Sequence, residues 1–243
     1  MMRDLLPPAV HLAESFGDLP EAVLLPEEEP AIARAVEKRR REYTTVRHLA
    51  RRALGCLGHG GAALPPGELR APRWPSGVVG SMTHCEGYRA AAAADAALLA
   101  SVGIDAEPHE PLPPEVLGGA ALPEEREHLA GLARLRPETH WDRVLFSAKE
   151  SVYKAWYPLT GAWLGFEDAV LAFDPSGTFR ARVLPGALVE GGPAAFDGRW
   201  SVADGFVTTA VVVDGGLPVD GAGPTAASAR CRCRGRDGAD AAG

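Results

Sequence analysis

The chain has 243 residues, a formal net charge of −7, 46% hydrophobic and 23% charged residues. These proportions exclude a fully disordered chain, and the length suits one large domain or two small ones. The acidic balance argues against a whole-surface nucleic-acid binder, and no run of about 18 apolar residues offers a membrane span. The opening Met1–Pro8 breaks at Pro7 and Pro8 before the apolar core of a signal peptide can form. Cys56, Cys85, Cys231 and Cys233 form no C-x-x-C pair and no disulfide framework, and with no export signal expected the setting reads as reducing and cytoplasmic; neither a membrane nor a nucleic acid is expected as partner. Of the 25 basic residues only three are lysines, Lys38, Lys149 and Lys154, and two of those lie five residues apart. A lysine kept in an arginine-rich chain marks a place where a compact ammonium is wanted rather than a planar guanidinium.

Residues 1–26 are interrupted by prolines and read as short strands with turns. Glu27-Glu28-Glu29-Pro30 reads as a helix start, and apolar residues at helical spacing from Ile32 to Leu57 carry that helix to Gly58. A Gly/Pro loop follows to Pro75, then strand-like tracts at Val78-Val79 and from Leu98 to Ile104. Between them Ala90–Ala94 fits a strand by context and a helix by propensity. Residues 108–123 read as a Pro-rich connector, and a short helix opens at Pro123. The strongest helix runs from about Glu138 to Pro158, its apolar stripe being Trp141, Leu145, Ala148, Val152 and Ala155. Strand-like runs follow at 169–173, 179–184, 199–203 and 206–213, with Asp204-Gly205 as a hairpin signal. Helix then strands, twice over, predicts an α+β protein of two similar halves, 1–107 and 108–217, with a disordered tail over 218–243.

Three tracts carry chemistry. In Val102-Gly103-Ile104-Asp105-Ala106-Glu107, an extended backbone places Asp105 and Glu107 on one face. Paired carboxylates repel unless a cation lies between them, and hard oxygen ligands suit Mg²⁺, although such a pair alone is more often a solvated turn. On the strongest helix, Ser147, Glu150 and Lys154 share a face, and Glu150 and Lys154 fit either an exposed ion pair or a carboxylate and a phosphate-binding ammonium. The third tract runs from Trp74 through Gly80, Ser81 and Thr83 to His84, a glycine-punctuated strand ending in a histidine. The first long helix adds seven basic residues (Lys38, Arg39, Arg40, Arg41, Arg47, Arg51 and Arg52) against Glu37 and Glu42, an island that should attract a polyanion. By helical angle Arg40 and Arg47 are nearly aligned, with Arg39 about 80° away.

Taken together, these tracts in this order resemble the 4′-phosphopantetheinyl transferases, in the surfactin/enterobactin-type bacterial branch and its actinobacterial form. The resemblance implies two α/β halves in a pseudo-twofold monomer. It implies transfer of 4′-phosphopantetheine from coenzyme A to a serine of apo acyl or peptidyl carrier proteins, with release of adenosine 3′,5′-bisphosphate. Asp105, Glu107 and Glu150 match the family's Mg²⁺-binding acids, with Mn²⁺ as a second candidate. Glu150 is also placed to activate the serine hydroxyl. Lys154, with Lys149 beside it, would hold the diphosphate; Thr83 and His84 match a phosphate-contacting pair. Arg39 and Arg47 match arginines that grip the 3′-phosphate, Arg40 staying open by its helical angle, and Arg70 is the candidate for a basic residue before Trp74. Asp105, Glu150, Lys154 and His84 are thus the expected catalytic set. The alternatives are a Mg²⁺-dependent hydrolase of coenzyme A or a related nucleotide, and a nucleic-acid module on the Arg-rich helix, against which the overall charge counts.

Overall fold

The computed structural model describes residues 1–215, and the tail expected over 218–243, with Cys231 and Cys233, lies outside the described residues. The first half is built on strand β1 (His11–Ser15), β2 (Val78–Cys85) and β3 (Tyr88–Asp95), antiparallel in the order β1-β3-β2. Helix α1 (Glu37–Gly55) packs on one face of this sheet. The alanine run resolves as strand because both of its faces are buried. Ala91 and Ala93 pack with Leu49, Ala50 and Leu54 of α1, while Ala90, Ala92 and Ala94 face a second core with Met2, Val10 and Ile104. Tertiary packing on both sides outweighs the helix propensity of alanine.

The helix start expected at residues 27–30 is instead a 3₁₀ turn over Glu29–Ile32, and α1 begins at Glu37 after a break. Glu28 is fully buried as an acceptor for the Leu25 and Leu64 amides and as the partner of Arg51, at 2.8 Å. It staples a loop and does not cap a helix.

The second half holds β4 (Leu99–Pro108), β5 (Ala169–Asp174), β6 (Thr178–Val183), β7 (Ala195–Ala203) and β8 (Phe206–Asp214), antiparallel in the order β4-β8-β7-β6-β5. The strand carrying Asp105 and Glu107, grouped by the sequence with the first half, forms its ladder with β8 and so belongs to the second sheet. Asp204 and Gly205 both take positive φ, 54° and 80°, as a two-residue hairpin turn requires. Helices α3 (Pro123–Leu135) and α4 (Trp141–Thr160) cover this sheet, and the Pro-rich connector contains a short helix α2 (Pro114–Ala120). The stripe expected on α4 is buried in the core with Leu171, Phe179 and Val211. Among the described residues no helix is long and apolar enough to cross a membrane.

Two close approaches set the geometry around β4. At Gly103 a β-carbon would lie 2.0 Å from the Ser151 carbonyl oxygen and 2.8 Å from the Ala155 nitrogen, so the α4 backbone rests directly on β4. Beside it β2 meets β4 without a backbone ladder. The Ser81 hydroxyl accepts the Ile104 amide at 3.0 Å, and the Thr83 hydroxyl accepts the Ala106 amide at 3.1 Å. Gly103→Ala is expected to push α4 off the sheet at a cost of about 1–3 kcal/mol, read from the denaturant midpoint.

Candidate active site

A cleft of about 740 Å³ opens between the halves, floored by β2 and walled by α1, the loop around Arg70, and α4. Six of the candidate site residues line it, namely Arg39, Arg47, Arg70, His84, Glu150 and Lys154, while Asp105, Glu107, Thr83 and Lys149 do not. Their apolar companions include Tyr43, Trp74, Tyr153 and Tyr157. The Trp74 ring lies where a β-carbon on Gly80 would be, 2.6 Å away, which accounts for a glycine at that point of the tract.

At the inner end lies a charged cluster. The Lys154 ammonium donates to the Asp105 carboxylate at 2.7 Å and to the Ile104 carbonyl at 3.2 Å. Burial alone would lower the Lys154 pKa, but Asp105, Glu150 and Glu107 together hold it above its ordinary value. Thr83 donates its hydroxyl hydrogen to the same Asp105 oxygen at 3.1 Å, so this carboxylate is pinned between β2 and α4. The second Asp105 oxygen is buried and has no hydrogen-bond partner. Glu107 is held by Arg143 at 2.9 Å, yet burial, and next the charge on Asp105, push its carboxyl up to about 7. Burial also raises the Glu150 carboxyl; Asp105 adds to that shift and Lys154 opposes it. The cluster thus carries more carboxylate than its cations neutralise, with one buried oxygen left bare.

That imbalance, and a donor set of hard oxygens only, fits a divalent cation. Among the described residues no three His, Cys, Asp or Glu side chains already converge as a closed ligand set. Arg143 occupies one oxygen of Glu107, and Lys154 and Thr83 share one oxygen of Asp105.

The basic residues divide by direction. Arg39 meets Nε2 of His84 at the cleft wall, whereas Arg40 donates to the Ile32 carbonyl at 2.8 Å, outside the cleft lining. Arg47 is buried, donating to the Leu64 carbonyl at 2.9 Å and lying over the Tyr43 ring at 4.1 Å. Arg70 stands in a strained loop, where both it and Leu69 have positive φ, 65° and 48°. Burial, and next Arg39 and Lys154, push the His84 pKa down to about 3, so the ring is a neutral hydrogen-bonding group.

Two expectations need correction. Thr83 and His84 are neighbours on a strand and point to opposite faces, so the Thr83 hydroxyl is spent on Asp105 and on the Ala106 amide instead of reaching the cleft. Lys149 lies one residue, about 100°, around the helix from Glu150 and leaves the cleft altogether. Its ammonium is buried against Glu125 at 2.7 Å and the Phe166 carbonyl at 2.6 Å. Glu125 also accepts the Leu122 and Leu171 amides, at 2.8 Å each, so this pair ties α3, α4 and β5 together. Sequence reasoning missed Arg143, although its place seven residues before Glu150 puts it on the same helix face within about 20°.

The sequence model of the 4′-phosphopantetheinyl transferase N-terminal domain matches residues 27–94, and that of the 4′-phosphopantetheinyl transferase superfamily matches residues 101–203. The 4′-phosphopantetheinyl transferase Svp of Streptomyces mobaraensis is 56% identical over 219 residues, covering 88% of this chain and 89% of that protein. Npt of Nocardia iowensis is 48% identical over 222 residues, 87% of this chain and 99% of its own. PptT of Mycobacterium tuberculosis is 50% identical over 209 residues, 83% and 91% respectively.

The separation of the two lysines is directly testable. Lys149→Met leaves Glu125 buried without its cation, and the expected loss is about 3–5 kcal/mol of folding stability. At a temperature where the variant is folded, its KM for the ligand of the cleft should stay unchanged; a raised KM with unaltered stability would return Lys149 to the cleft.

Proposed function

The chain belongs to the 4′-phosphopantetheinyl transferase superfamily, and from that premise we propose that Asp105, Glu107 and Glu150 hold a Mg²⁺ ion beside a coenzyme A gripped by the basic residues of the cleft. The activity itself is 4′-phosphopantetheinyl transfer to carrier proteins, with coenzyme A as the donor of the family. The observation that supports the metal reading is the bare, buried oxygen of Asp105 among three carboxyl groups. Mg²⁺ bound there, or Mn²⁺ in its place, supplies charge neutralisation on the diphosphate.

The chemistry asks the protein mainly for positioning and for fixed charge. The serine oxygen of the carrier bonds to the β-phosphorus of coenzyme A, and the bond from that phosphorus to the bridging diphosphate oxygen breaks. Adenosine 3′,5′-bisphosphate leaves, and the serine proton goes to the Glu150 carboxylate, which lines the cleft with Lys154. Lys154, fixed by Asp105 and the Ile104 carbonyl, keeps its charge and places it against the developing oxyanion. His84 serves as a neutral hydrogen-bonding group set by Arg39. Arg39, Arg47 and Arg70, spread along the opposite wall, suit the separate 3′-phosphate.

Incubation with coenzyme A, Mg²⁺ and an apo carrier protein should add the mass of one phosphopantetheine to the carrier. Release of bisphosphate without a carrier would instead mark a hydrolase. Glu150→Gln is expected to lower kcat by about 10²–10⁴-fold, the usual contribution of a positioned base. A second outcome follows from Glu107. Because its carboxyl titrates near 7 and a cation needs it ionised, Mn²⁺ affinity measured with coenzyme A present should rise about tenfold from pH 6 to pH 8. An affinity that does not change with pH would remove Glu107 from the ligand set.

A further inference from the structure

Arg143 stands on the first turn of the wall helix α4 but outside the cleft lining, and it is firmly tethered beside the charged cluster. Its side chain is only 14% exposed and makes three bonds from three different nitrogens. Nη1 donates to a Glu107 oxygen at 2.9 Å, Nε to the Glu110 carbonyl at 3.0 Å, and Nη2 to the Pro111 carbonyl at 3.0 Å. The same end of α4 grips the same turn twice more. The Asp142 carboxylate accepts the Leu112 amide at 2.8 Å, and the His140 amide donates to His109 Nε2 at 3.0 Å. The chain leaving β4 is therefore buckled to the first turn of α4, and Glu107 is caught inside the buckle.

We propose that Arg143 is a positioning residue, which fixes the Glu107 carboxylate beside Asp105 by clamping that carboxylate and the turn after β4 to the start of α4. The inference rests on the reading of Asp105, Glu107 and Glu150 as metal ligands. Its physical basis is the strain between two acids on one strand face. Asp105 repels Glu107, and a free glutamate there would swing outward through its three side-chain torsions. A guanidinium fork held at two carbonyls cannot follow it, so the carboxylate keeps its place. Only one Glu107 oxygen is bonded to Arg143, which leaves the other for a cation. Partners of this kind, behind metal ligands, are typically worth about 10–100-fold in metal affinity.

The test uses the full chain with coenzyme A and no carrier, and reads Mn²⁺ binding from the loss of the free-ion paramagnetic resonance signal. Asp105→Asn checks the site itself: wild type should bind, and this variant should not. Absence of binding by wild type, or unchanged binding by Asp105→Asn, would overturn both the site and the role of Arg143. With that control in place, Arg143→Met is expected to weaken Mn²⁺ binding about tenfold and lower kcat by a similar factor, with KM for coenzyme A unchanged. Arg143→Lys, which keeps the charge but not the fork, should fall between the two. In a Glu107→Gln background Arg143→Met should weaken Mn²⁺ binding no further, because the two act as one unit. Should Arg143→Met not fold, Arg143→Lys and its double variant with Glu107→Gln carry the same comparison. Wild-type Mn²⁺ affinity in a folded Arg143 variant, or losses that simply add to those of Glu107→Gln, would overturn the proposal.

Discussion

The site depends on one contact, the α4 backbone lying directly on β4 at Gly103. A side chain there would clash with the Ser151 carbonyl and push the helix off the strand, disturbing the short reach from Lys154 to Asp105. The contact also puts Glu150 and Arg143, on the same helix face, against the same strand. Asp105 closes the arrangement from the other side, since the Thr83 hydroxyl of β2 bonds to it. One carboxylate thus joins two sheets and a helix at the bottom of the cleft.

Charge balance separates a structural ion pair from a functional one. Glu125 receives the Lys149 ammonium and two backbone amides, so its acceptor positions are well used and the pair is closed to solvent. Asp105 receives Lys154 and Thr83 on one oxygen and nothing on the other, with two further carboxyl groups pushed upward nearby. A buried charge that is fully paired stabilises one arrangement of helices; an incompletely paired cluster has capacity for a ligand. The two lysines of one motif therefore differ in surroundings, Lys149 in a closed pair and Lys154 at the cleft, five residues and one helix face apart.

The Arg-rich helix divides in the same manner. Its positive charge reads as one island along the sequence, but Arg51 is spent on buried Glu28, Arg40 on a carbonyl and Arg41 on Asp18. Of its seven basic residues, Arg39 and Arg47 line the cleft, Arg47 while also donating to the Leu64 carbonyl. Local attraction for a polyanion thus comes from a few arginines aimed by the fold and not from the helix as a whole.

The periodicity of Trp141 to Ala155, the D-x-E pair, the Asp204-Gly205 turn and the order of the three motifs are properties of short segments, and the sequence alone carried them to the right elements and the right family. What it could not carry was direction and partnership. Whether five alanines make a strand was decided by packing on both faces, and the fate of Glu28 by amides and an arginine far along the chain. Lys149 went to Glu125, Thr83 to Asp105 and β4 to the second sheet for the same reason. A residue's type and spacing fix which bonds it can make, while burial between distant segments fixes which of them it does make.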